Sequence, residues 1–204
     1  WGGMLATAYV GEYPEAVEKL VLAEPGPLSP ELAKEFGAKF QPDVDWEFFS
    51  HMVGSYFKSL HVEEIDDQAI GDYFFREFTS NTELANNPMA GYFCNNDMSS
   101  AEMLHWRFSW TTYTDLVMTH MQGDFSGMTF GKDAKNFKNK TLILVGSCNV
   151  LVGEEFQKKQ MPLFNDAEIV VIEDTGHFMF EEKPEECISE IKKYFNAAPE
   201  IPDQ

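Results

Sequence analysis

Three short apolar runs constrain the fold of this chain more than any other feature: Leu20-Val21-Leu22-Ala23, Thr141 to Val145 (TLILV) and Glu168 to Ile172 (EIVVI). Each is too short for an ordinary helix and is apolar at successive positions, as in a strand covered on both faces. The first run stops at Glu24-Pro25-Gly26-Pro27 and the second at Gly146, both turn signals. Helical spacing flanks them. Residues 1 to 13 place Met4, Leu5, Ala8 and Val10 in a helical pattern before Pro14; 154 to 160 reads as helix; 185 to 195 is amphipathic, with Ile188, Ile191, Tyr194 and Phe195 apolar. Alternating strands and helices imply an α/β fold with a mostly parallel sheet. Three strands are too few for such a sheet, so the remaining strands are expected N-terminal to Trp1.

Between the first two runs the chain changes character. From Pro30 to Asp115 there are 17 aromatic residues, 15 acidic and five basic, with helical spacing and no buried strand pattern. The organisation predicted is therefore a core segment over 1–29, an inserted helical cap over 30–122, and a second core segment over 123–204 with a loop tail from Ala197. The acidic charge of the cap reads first as a solvated face. A net charge of -19 over 204 residues disfavours nucleic acid and anionic membrane partners. No apolar run approaches the roughly 18 to 20 residues of a membrane span. The chain is expected to be soluble, the cytoplasm being slightly favoured. Cys94, Cys148 and Cys187 show no metal-ligand or framework spacing and read as free thiols. No dinucleotide fingerprint or phosphate cradle is present, so no cofactor is expected.

Two segments carry a resemblance. Trp1-Gly2-Gly3-Met4-Leu5-Ala6, followed by Tyr13-Pro14-Glu15 and Val17 to Leu22, resembles the α/β-hydrolase segment just after the nucleophile elbow. Asp174-Thr175-Gly176-His177-Phe178, between the third apolar run and the last helix, resembles that family's catalytic-histidine loop. The resemblance implies an α/β-hydrolase fold with a helical cap and a nucleophile immediately before Trp1. The backbone N–H of Trp1 would then be an oxyanion donor and His177 the general base. His51, His61, His105 and His120 lack such context and read as cap or surface residues. Asp174 reads as a turn former.

The family's acid commonly follows the penultimate strand in a Gly-x-x-Asp turn. Here the turn is Gly146-Ser147-Cys148-Asn149, so Asn149 stands at the acid position. Glu24, ending the first run, is a possible replacement acid, since certain haloalkane dehalogenases carry theirs there; it also reads as a turn carboxylate beside Pro25. If Glu24 orients His177, its carboxylate should lie about 2.6 to 3.2 Å from the ring nitrogen, leaving Asn149 a spectator. The resemblance implies a Ser hydrolase similar to proline iminopeptidases, acting on an ester or amide in a small molecule or short peptide. Two alternatives follow from the same residues: a haloalkane dehalogenase or epoxide hydrolase with an Asp nucleophile, and a degenerate binding protein. The partner of the chain would be the N-terminal segment of its own fold.

Overall fold

The computed structural model describes residues 1–40, 44–61, 68–79, 87–100, 109–110, 114–115 and 125–197. The chain divides into two compact units, one formed by Trp1–Ser29 with Thr129–Gln204 and the other by Pro30–Met128.

The first unit is built on three strands, β1 (Leu20–Ala23), β2 (Thr141–Gly146) and β3 (Ala167–Ile172), in the order β1-β2-β3 with both pairings parallel. Leu20 is in register with Thr141, and Thr141 with Ala167. β2 is buried along its whole length, which accounts for its continuous apolar run. Alternation sends Leu142 and Leu144 to one face, where they pack with Ile172, Met179 and Cys187. Ile143 and Val145, also buried, take the other face. β3 departs from the expectation of full burial. Among the described residues it pairs with β2 alone, and only Ile172 is buried within it.

Helix α1 (Gly2–Glu12) buries Met4, Thr7, Val10 and Gly11. Its glycines are not equivalent. A Cβ on Gly3 would stand 2.8 Å from Pro25 Cβ, so the start of α1 presses on the turn after β1; around Gly2 there is open space. After β2, a helix over Glu154–Gln160 precedes β3, and a single helical turn over Met179–Glu182 leads into the last helix, Pro184–Asn196. That last helix is tied down by Lys19. Its ammonium donates to the carbonyls of Tyr194 (3.1 Å), Phe195 (2.8 Å) and Ala197 (3.1 Å), acceptors that a helix end leaves without intrahelical partners.

The second unit shows helices α2 (Pro30–Lys39), α3 (Trp46–Ser59) and α4 (Ala69–Thr79), with no strand among its described residues. Asp45 caps α3 by accepting the Phe48 N–H at 2.8 Å. Its aromatic content is used in ring packing, including stacked Phe36 and Phe40 and an edge contact of Phe74 with Trp110. His51 bonds Ser55 and His61 bonds the Phe57 carbonyl within this unit; His105 and His120 lie outside the described residues.

Of the three cysteines, Cys187 is a buried free thiol, as expected. Among the described residues no helix is long and apolar enough to cross a membrane.

Candidate active site

The carboxyl ends of parallel strands are where an open α/β sheet can present side chains free of the ladder. Here three consecutive strand ends converge on one carboxylate. Glu24 is the first residue after β1, and its N–H continues the ladder by donating to Leu144 O at 3.0 Å. Its φ is 40°, a left-handed conformation that costs a non-glycine residue on the order of 1–3 kcal/mol. The conformation is held by its surroundings. The buried amides of Gln157 and Gln160 grip the next carbonyl, Pro25 O, at 2.9 and 3.3 Å.

The Glu24 side chain is fully buried, and each oxygen has a defined partner. Oε1 accepts the Gly146 N–H at 2.8 Å. Oε2 lies 2.7 Å from His177 Nδ1 and accepts from Asn149 Nδ2 at 2.6 Å. A carboxylate only accepts, so the His177 contact is an Nδ1–H donated to Glu24, and the neutral ring carries its lone pair on Nε2. The imidazole is one-third exposed, so it is mostly held in the protein with one edge reachable. The distance falls inside the range expected for an orienting acid.

Asn149 is a different matter. Its Oδ1 accepts the N–H groups of Leu151 (2.9 Å) and Val152 (3.1 Å), which fixes the amide so that its NH₂ faces Glu24. It meets Glu24 and not His177, so it is neither the histidine's partner nor the spectator expected beside a Glu24 acid.

The loop after β2 and the histidine loop after β3 are stitched together. Ser147 N–H donates to Ile172 O, Cys148 N–H to Thr175 O, and Asp174 N–H to Ser147 Oγ at 2.8 Å. Asp174, with φ 52°, is the turn former that the sequence suggests. The Gly176 N–H donates to Glu182 Oε2 at 2.8 Å, and the His177 and Phe178 rings meet edge to face. Gly146 is required by close approach: a Cβ there would lie 2.2 Å from Gly176 O and 2.6 Å from Thr175 O. Trp1 is the N-cap residue of α1, and its carbonyl accepts the Leu5 N–H.

Several of these groups escape sequence reasoning. The Gly146 amide and the glutamine pair have no signature, because they act through contacts distant in the chain. Glu182 stands in Glu181-Glu182-Lys183-Pro184, where nothing local points to the histidine loop. Among the described residues no group of three or more His, Cys, Asp or Glu side chains is arranged to hold a metal ion.

Comparison with known proteins places the chain in a family. The chain is similar to MGS-M2, an alpha/beta hydrolase enzyme from a Medee basin deep-sea metagenome library, at 14% identity, covering 100% of this chain and 64% of that one, with a TM-score of 0.51. It is similar to an acetylester hydrolase from Corynebacterium glutamicum at 14% identity, covering 96% and 59%, with a TM-score of 0.53. A haloalkane dehalogenase loop variant from Bradyrhizobium elkanii gives 15% identity, 95% and 64% coverage, and a TM-score of 0.50. The chain thus spans less than two thirds of the length of each of these structures. No curated protein sequence matches it. The family model described as the alpha/beta hydrolase fold matches residues 1–184, and the chain belongs to that family.

Proposed function

We propose that this chain supplies the base and the acid of a hydrolase that cleaves an ester or amide bond, with His177 as general base, Glu24 as its orienting acid and a Ser nucleophile directly before Trp1. The observation that carries the reading is the 2.7 Å contact between His177 Nδ1 and a fully buried Glu24 carboxylate. A buried carboxylate on one ring nitrogen selects the tautomer whose Nε2 can take a proton, and it stabilises the imidazolium that results. In the reaction, Nε2 takes the Ser proton as the oxygen attacks the acyl carbon. The backbone N–H of Trp1, at the start of α1, is one donor to the oxyanion. Collapse expels the alcohol or amine, which leaves with the proton from His177. Water then repeats the sequence on the acyl-enzyme, with its proton passing through the same imidazole.

The acidic helical unit, read as a cap, favours substrates with a cationic amino terminus, which includes short peptides cleaved in the manner of a proline iminopeptidase. A second reading is favoured by the place of the acid at the end of β1: an Asp nucleophile attacking a carbon that bears halide or epoxide oxygen, giving an alkyl ester. An active-site-directed phosphonate separates the two in the intact protein. Stoichiometric labelling at the residue preceding Trp1, abolished in His177→Ala, is the result expected. Absence of labelling in a protein that consumes haloalkanes or epoxides would establish the second reading instead.

A further inference from the structure

We infer that Asn149 is a positioning residue for Glu24: its amide, held by the loop behind it, keeps the Glu24 carboxylate aimed at His177. The inference rests on the reading of Glu24 as the acid.

The argument begins with a count of lone pairs. Oε1 of Glu24 is engaged by the Gly146 N–H, and Oε2 receives two donors, Asn149 Nδ2 at 2.6 Å and His177 Nδ1 at 2.7 Å. Of these three donors, the Gly146 N–H is fixed by the backbone and His177 moves its proton during turnover. Asn149 is therefore the one side chain that holds Oε2 in place whatever the protonation state of the histidine. It can do so because its own oxygen is anchored by the Leu151 and Val152 N–H groups, and because the turn behind it is tight: a Cβ on Gly153 would meet Asn149 O at 1.9 Å. Asn149 and Glu24 are both buried, so neither hydrogen bond is exchanged with water at little cost. Two other charged groups near these loops are engaged elsewhere, Glu182 with the Gly176 N–H and Asp174 with Lys183.

The role requires an amide. Asp at position 149 would restore the residue commonly found in that turn, yet it would place a second acceptor 2.6 Å from Glu24 Oε2. Two carboxylates that close hold one proton between them, which takes negative charge from the oxygen facing His177. This substitution also separates positioning from loop architecture. Asp keeps an oxygen for the Leu151 and Val152 N–H groups, so the turn survives while the donor to Glu24 is lost.

The test compares Glu24→Gln, Asn149→Asp and Asn149→Leu in the intact protein, reading kcat, KM, the pH profile of kcat/KM and the melting temperature. Asn149→Asp should melt like the parent, lose about 10- to 100-fold in kcat at neutral pH with KM little changed, and shift the acidic limb of the profile to higher pH. The limb moves upward because the shared proton must leave before Glu24 is fully charged. Asn149→Leu should lose turnover and also melt lower. If Glu24→Gln collapses while Asn149→Asp keeps parental kcat and an unmoved limb, Asn149 is only a loop residue and the inference fails with the acid assignment intact. If Glu24→Gln retains parental turnover, or Asn149→Asp gains turnover, the acid assignment itself fails and the inference falls with it.

Discussion

Glu24 shows how little a residue's type says about its role until its surroundings are known. In sequence it is a carboxylate before a proline, equally readable as a turn former. The structure gives it a left-handed φ, full burial and three donors, a combination that an ordinary turn carboxylate has no reason to carry. His177 was more legible, because a loop His after a Gly and a β run is a local pattern. Asn149 was legible as a position but not as a contact, since nothing in Gly146 to Asn149 states which way the amide will face. Gly146 supplies the prediction at this scale. A methyl group there would meet Gly176 O at 2.2 Å, so in Gly146→Ala the histidine loop must move away from β2. Turnover should fall by about 100-fold, the loss that an ångström of misplacement at a reacting group produces, with a lower melting temperature. Parental kinetics for this variant would show that the loop can absorb the shift without moving His177.

At the scale of elements, continuous apolar runs placed β1, β2 and β3 within a residue of their observed limits, because a strand covered on both faces has to be apolar throughout. β3 was over-read: EIVVI is apolar enough for a buried strand, yet its exposure depends on which neighbours it pairs with, and no single run contains that information. The last helix was legible from its 3.6-residue period, but its anchor was not. Lys19 lies 175 residues from Tyr194 in the chain, and a lysine before a strand reads as surface. Three carbonyls at a helix C-terminus receiving one ammonium should stabilise the unit by about 1 kcal/mol, combining the helix-end charge effect with modest net hydrogen-bond terms. Lys19→Met, which keeps most of the aliphatic stem, should lower the unfolding free energy by that amount and leave kcat unchanged. An unchanged denaturation midpoint would mean that water satisfies those carbonyls equally well.

At the scale of the whole molecule, residues 24, 146, 149 and 177, proposed here as the acid, its supports and the base, are brought together by the parallel order of three strands. Family membership was readable because both ends of this arrangement, the Trp1-Gly2-Gly3 start and the histidine loop, have local signatures. The middle of it, which of Glu24 and Asn149 meets His177, was not, because that contact is made by side chains meeting across the sheet. The central claim is that His177 works against the charge of Glu24. Turnover of Glu24→Gln in the intact protein tests it most directly, since the amide keeps the shape of the side chain and removes the charge. The account predicts a fall in kcat of about 10⁴, the loss seen when a triad acid becomes an amide, with the protein still folded. Parental turnover in a folded Glu24→Gln protein would contradict it.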